Sequence, residues 1–267
     1  MTKTWFITGA SRGFGREWAE AALERGDKVA ATARKIEALD ELVQKFGTNI
    51  LPLQLDVTDR AAAFSAVQQA AAHFGSLDVV VNNAGYGHIG MVEELGEDHI
   101  RAEMEANFFG TLWVTQAALP IMRKQHSGHI IQVTSEGGVR AFPSFGAYHA
   151  SKWAVEGLSQ SLSQEVGQFG ISITSVEPGP YSTGFGVAVR HSEENLDYQI
   201  VRASTAPDWK LGNPRATRAA ILKVVDSEQP LLRVFFGKSL EPVTEEYKQR
   251  LATWNEWQPV SLEAFGG

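Results

Sequence analysis

Three glycines, Gly9-x-x-x-Gly13-x-Gly15, constrain this chain more than any other feature. They follow a short β-rich run, Trp5 to Thr8, and open an amphipathic one, Gly15 to Arg25, that stops at Gly26. Glycine accepts backbone angles closed to other residues, so such a turn brings N–H groups at a helix N-terminus close to a phosphate. The spacing differs from G-x-G-x-x-G, yet its place between a strand and a helix gives it the same physics. Strands are then expected at Val29 to Ala33, Ile50 to Leu55, Asp78 to Val81, His129 to Thr134, Ser172 to Val176 and Leu232 to Phe236. Helices are expected at Ile36 to Phe46, from an Asp59 cap to Phe74, through Glu97 to Gln125, within Phe145 to Gly167, and at Arg215 to Val225. Continuously apolar strands separated by helices pack as a parallel sheet covered on both faces. The expectation is an α/β chain with a doubly wound parallel sheet of about seven strands. With no low-complexity linker or repeat, residues 1–267 read as one domain.

The second constraint is chemical. Tyr148 and Lys152 stand four apart, on one face of the helix expected within Phe145 to Gly167. A phenol titrates near pH ~10, and a fixed ammonium beside it favours the phenolate. That brings it toward the working range of a general acid/base. Ser135, ending the strand HIIQVTS, adds a hydroxyl for a substrate oxygen. Serine, tyrosine and lysine without a histidine base suit proton transfer to an oxygen better than acyl transfer. A lone Tyr-x-x-x-Lys is common on helix surfaces. Its company decides.

Tyr148-His149-Ala150-Ser151-Lys152, with Ser135 thirteen residues before the tyrosine, resembles the short-chain dehydrogenase/reductase family. Thr8 to Gly15, Asn82-Asn83-Ala84-Gly85, Asn107 and Pro178-Gly179 follow in that family's order, and the likeness runs from about residue 4 to 185. The resemblance implies a Rossmann-type fold and hydride transfer between a nicotinamide and a carbonyl or alcohol carbon. It makes Tyr148 the acid/base, Ser135 a donor to the same oxygen, and Lys152 the tuner of Tyr148 and holder of the nicotinamide ribose. Asn107 matches the residue that positions a relay water through a helix distortion. The cofactor contacts it implies are Gly9, Ser11, Arg12, Gly13, Phe14 and Gly15 in the turn, Asp56 and Val57 at the adenine, and Asn82 and Ala84 on the shelf. Pro178, Gly179 and Thr183 join Tyr148 and Lys152 at the nicotinamide.

NAD sites place Asp or Glu ~20 residues past the glycine turn. Here Ala33-Arg34-Lys35 stands instead. Arg34 and Arg12 match positions that are basic in NADP-preferring relatives, and a guanidinium grips a 2′-phosphate through paired N–H bonds. NADP(H) is therefore expected, in the manner of carbonyl reductases and hydroxysteroid-dehydrogenase-like members; two solvated surface arginines are the plainer alternative. An NAD-linked hydroxysteroid or polyol dehydrogenase is the alternative within the family. Outside it stands a catalytically silent dinucleotide-binding sensor, disfavoured because every catalytic position is retained. Sugar-nucleotide epimerase chemistry is disfavoured by the glycine spacing.

Substrate walls are expected from His88, Val139, Phe142, Phe145, Pro180, Tyr181 and Phe185, with Trp209 added from the stretch Tyr181 to Pro214. That stretch is long for a connection and leaves the carboxyl edge of the sheet, so 181–214 reads as a lid. An aromatic lining suits a bulky or aryl ketone; each of these residues reads equally as core. His149 is left out of the chemistry, because adjacent residues point apart on a helix. Glu136, beside Ser135, reads either as a substrate contact or as a surface-turned side chain. No histidine pair has zinc-site spacing, and no metal is expected.

Composition closes other classes. Lys+Arg 24 against Asp+Glu 31, a formal charge of −7, argues against nucleic acid and anionic membrane as partners. The absence of cysteine removes disulfide and thiolate chemistry. No apolar run approaches the ~20 residues of a membrane span. The start, MTKTWFITGA, enters the first strand without a signal-peptide pattern, so a cytoplasmic protein acting on a small carbonyl or alcohol is expected. The resemblance adds a homodimer or homotetramer assembled through the Tyr–Lys helix. Trp254, Trp257 and Phe265 read as packing on the parent subunit or on a neighbour.

Overall fold

The computed structural model describes residues 2–205 and 210–266. Strand β1 (Thr4–Ile7) runs into the glycine turn and α1 (Gly13–Glu24). The alternation continues through β2 (Lys28–Ala33), α2 (Asp40–Phe46), β3 (Ile50–Gln54), α3 (Arg60–Phe74) and β4 (Val79–Asn82). After a two-residue strand β5 (His88–Ile89), α4 (Glu97–Met104) passes through a π-turn, Glu105–Phe109, into α5 (Gly110–Gln125). Then come β6 (Gly128–Val133), α6 (Gly146–Val166) and β7 (Ile171–Pro178). The long connection holds α7 (Phe185–Ala188), β8 (Arg190–His191) and α8 (Gln199–Thr205). Helix α9 (Arg218–Val225), β9 (Arg233–Phe236), α10 (Leu240–Glu256) and α11 (Gln258–Phe265) complete the chain.

Seven strands form one parallel sheet in the order β3-β2-β1-β4-β6-β7-β9, the Rossmann-type arrangement. The chain builds outward from β1 in one direction and from β4 in the other. The crevice between them, at the strands' carboxyl ends, is where such sheets bind ligands.

Alternation of side chains across the pleat explains why the strands are apolar throughout. Trp5 and Ile7 enter one layer with Trp18 of α1, while Phe6 enters the other with Val114 of α5 and Leu162 of α6. The same period separates Val79 and Val81 from Val80, and Ile131 and Val133 from Ile130. Phe6 has no exposed surface, so its truncation to Ala would cost ~3–5 kcal/mol. Helix ends follow their local signals. Asp59 accepts a hydrogen bond from the Ala62 N–H at 2.9 Å at the start of α3, and Gly75 closes it with φ of 84°.

The span 97–125 is helical as expected, with the π-turn inserting an extra residue between α4 and α5. One expectation is revised. The chain past β9 is helical, in α10 and α11, where no element was expected. Among the described residues no helix is long and apolar enough to cross a membrane.

Candidate active site

The glycine turn is held from beneath by the loop after β4. Thr8 Oγ1 accepts from the Asn83 and Ala84 N–H groups at 2.9 and 3.0 Å, and Asn83 Nδ2 donates to the Thr8 and Gly9 carbonyls at 2.9 and 3.1 Å. Gly15 is required for contact. A Cβ there would lie 2.5 Å from Gly9 O and 2.6 Å from Asn83 Nδ2. Gly13, at φ of 59°, lies under Thr183, whose carbonyl oxygen would sit 2.8 Å from an added Cβ. No side chain caps α1 and its first turn carries no acid. Its leading N–H groups are thus left for an anion. Arg12 and Arg34 line the same cavity, and among the described residues neither is in an ion pair.

That cavity, about 810 Å³, runs from the glycine turn to Ser135, Tyr148 and Lys152. Arg34 follows β2 and Ser135 follows β6, three strand spacings apart in the sheet, or ~14 Å. Helix α6 positions the chemical groups. Lys152 is buried and donates from Nζ to the Val133 carbonyl at 2.9 Å; its ammonium lies 5.8 Å from the Tyr148 ring centroid. Burial lowers Lys152 to about 8 against the opposing pull of Glu103 and Glu156. Enclosure pushes Tyr148 up to about 12; a hydrogen bond with Ser135 draws it down, and the carboxylates of Glu103 and Glu136 raise it further. The expected lowering of the phenol is not met in this geometry, because desolvation outweighs the Ser135 hydrogen bond. Tyr148 stands as a phenol at neutral pH.

Asn107 sits in the π-turn, so the helix distortion expected at that residue is present. Its side chain is fully committed. Nδ2 donates to Tyr86 O and Ser151 Oγ, both at 2.9 Å, and Oδ1 accepts from the Tyr86 N–H at 3.0 Å. This clamps the loop after β4 onto α6. One turn earlier, Glu103 is wholly buried and neither carboxylate oxygen has a hydrogen-bond partner among the described residues. Burial pushes it to about 7, while the Lys152 charge and the nearby His88 backbone, short of hydrogen-bond geometry, hold it down.

Most expected residues line the cavity: Gly9, Ser11, Arg12, Gly13, Phe14, Arg34, Asp56, Val57, Ala84, Pro178, Gly179, Thr183, and the walls Phe142, Phe145, Pro180, Tyr181 and Phe185. Phe185 meets the Tyr148 ring edge-on at 5.3 Å. Four do not. Asn82 turns to the opposite face of β4 and donates to Thr115 Oγ1 and Gln132 Oε1 at 3.0 and 2.9 Å; its neighbour Asn83 faces the turn instead. Gly15 lies beneath the turn rather than on the wall. His88 is buried on β5, with Nε2 2.8 Å from Ser192 Oγ and its ring stacked on His99. Val139 is buried outside the cavity. Trp209 lies outside the described residues.

The lining also includes Tyr86, Glu136 and Arg190, whose guanidinium lies 4.9 Å from the Tyr86 ring centre. Glu136 is turned inward, with Oε2 3.3 Å from Arg140. His149 is structural, as expected. Its Nδ1 lies 2.9 Å from Gly137 O, and Nε2 accepts from the Phe142 N–H at 3.1 Å, which assigns the Nδ1–H tautomer.

A family model described as short chain dehydrogenase matches residues 3–194. The relative named Oxidoreductase BOA17, from Botryotinia fuckeliana, is 42% identical over 271 residues, 98% of this chain and 99% of that one. A 3-ketodihydrosphingosine reductase from Bacteroides thetaiotaomicron is 38% identical over 249 residues, 87% of this chain and 90% of that one. Among solved structures, a short-chain dehydrogenase from Streptomyces avermitilis has a TM-score of 0.93 at 39% identity, covering 98% of this chain and 100% of that one. A short chain dehydrogenase from Burkholderia cenocepacia in complex with NADP has a TM-score of 0.76 at 28% identity, over 96% and 97%. One from Burkholderia phymatum in complex with NAD shares the fold, with a TM-score of 0.82 at 23% identity over 94% and 95%.

Proposed function

This chain belongs to the short-chain dehydrogenase family and is an oxidoreductase that works with a nicotinamide dinucleotide; from that premise we propose that it reduces a ketone or aldehyde to an alcohol with NADPH. The observation that carries this reading is a single cavity lined both by Tyr148, Ser135 and Lys152 and by Arg12 and Arg34. The dinucleotide fits the residues present. The uncapped N-terminus of α1, with no acid in its first turn, suits its pyrophosphate. Arg12 and Arg34 suit a 2′-phosphate. When bound, the cofactor supplies the hydride.

The chain's own residues handle the oxygen. Tyr148, holding its proton at neutral pH, donates it to the oxygen as charge develops there. Ser135 hydrogen-bonds the same oxygen and orients the phenol. Lys152, fixed by the Val133 carbonyl, places a positive charge below the ring. Asn107 holds the Tyr86 loop, and with it Gly85, against α6. The stretch 181–214 acts as a lid, with Thr183 over Gly13 and Phe185 against Tyr148. Phe142, Phe145, Pro180 and Phe185 favour a bulky apolar ketone, in keeping with the name of the Bacteroides relative, a keto-reductase.

The test is NADPH consumption against aldehydes, aryl ketones, β-keto esters and long-chain or ring ketones, with NADH in parallel. Turnover with NADPH and a bulky ketone is expected. Arg34→Asp should cut the NADPH-over-NADH preference by ~10-fold or more, the loss of one charged contact. An unchanged ratio would remove Arg34 from the cofactor assignment.

A further inference from the structure

Past Arg250 the chain extends off the body of its own subunit. Helix α10 is tied down near its start and middle: Val243 is buried, and the Arg250 guanidinium lies 5.0 Å from the Trp153 ring centre of α6. Beyond Arg250, every residue from Leu251 to Gly266 is exposed. The exposed side chains there include Leu251, Val260 and Leu262, with Trp254 at 63%, Trp257 at 60% and Phe265 at 90% of full exposure. The backbone N–H groups of Trp257, Ser261 and Gly266 donate to Thr253, Trp257 and Glu263, all within α10 and α11.

A helical stretch of this length gains most of its stability from packing an apolar face, and alone in water it is marginal. Trp and Phe bury on the order of 150–250 Å² each. With the flanking leucines, Val260 and the exposed Leu240 and Tyr247 of α10, the arm offers roughly 800 Å², about one partner's share of a standard stable interface. Contiguous exposed apolar surface of that size marks an interaction site.

We propose that α10 and α11 form a dimerisation arm, and that its occupant is the same arm of a second copy of this chain. Two-fold pairing sets one apolar strip against its own copy, so no second patch is needed. A lipid surface fits worse. The charged side chains of 251–266 are Glu256 and Glu263, the wrong sign for anionic lipid. This arm is distinct from the exposed face of α6, and the proposal does not depend on the reaction catalysed.

The test is the mass of the full chain in solution by light scattering and sedimentation, against the triple variant Trp254→Glu, Trp257→Glu, Phe265→Glu. The wild type should form an assembly of at least twice the 29.2 kDa chain, and the variant should lose one association step, halving that mass. These side chains are exposed within the subunit, so the variant's melting of the body and its cofactor binding serve as folding controls. A wild type that stays monomeric at micromolar concentration overturns the proposal, as does a variant that keeps the wild-type mass, which would place the interface elsewhere. Amide hydrogen exchange gives a second reading. Protection of 251–266 in the wild type, lost in the variant, is expected; exchange at solvent rates in the wild type overturns the pairing.

Discussion

Tyr148 and Lys152 face opposite costs from the same burial. The phenol at about 12 keeps its proton across the physiological range, and that is the form that donates to a carbonyl oxygen gaining charge. Tyr148→Phe should therefore lower turnover by ~10²–10⁴ while leaving NADPH affinity, read by fluorescence titration, within a factor of about two. Retained turnover would remove Tyr148 as the acid. Lys152, at about 8, is the group set to lose charge on the alkaline side. Glu103 supports that charge. Above about 7 it is an anion, and its field raises Lys152. Glu103→Gln removes the anion, so Lys152 gives up its proton at lower pH and the alkaline fall in rate should move down by ~0.5–1 unit. The groups facing this pair are Tyr148, Tyr86 and Glu156, and none is altered. An alkaline limb that stays in place would mean that Glu103 serves packing alone.

Local geometry explains how much of the site was legible in the chain. The glycine turn and the Tyr–Lys pair depend on residues a few positions apart, and both fell where their spacing put them. Asn82 and Asn83 show where this stops. Adjacent strand residues face opposite sides, so one of them had to meet the turn, but which one depends on the side of β4 that faces Thr8. His88 and Val139 were misplaced for a longer-range reason. Burial of His88 comes from the pairing of β5 with β8, a hundred residues away. The π-turn leaves no mark in the apolar pattern, because one extra residue shifts the stripe without breaking it; the family match of Asn107 alone pointed to a distortion there. Its value lies in Asn107, which joins three elements through three hydrogen bonds. Asn107→Ala leaves the Tyr86 N–H and carbonyl unpaired, at a cost of ~2–4 kcal/mol in urea unfolding. A loss below ~0.5 kcal/mol would show that the clamp is dispensable.

Across the whole molecule, pH acts on groups far from the cavity. Glu177 of β7 and Glu156 of α6 share one guanidinium, Arg233 of β9, whose Nε lies 3.6 and 3.1 Å from their carboxylates. One cation does not offset two buried anions. Burial, reinforced by Glu156 and opposed by Arg233, pushes Glu177 from 4.5 to about 8. The folded value lies above the unfolded one, so the native state holds more protons between those limits. Its stability from this group is complete below about 4.5 and falls as pH rises through about 8. His129 works on the other flank. Burial lowers it from 6.5 to about 4, so the unfolded chain takes up the proton first and stability falls as pH drops below 6.5. Together they predict a maximum between the two flanks, and Glu177→Gln isolates the alkaline one. Gln imitates the protonated carboxyl, so melting should match the wild type near pH 5 and exceed it near pH 9 by on the order of 2 kcal/mol, or ~5 °C. If wild type and variant lose stability in parallel from pH 5 to 9, the alkaline flank belongs to another group, and the shared guanidinium holds both carboxylates ionised.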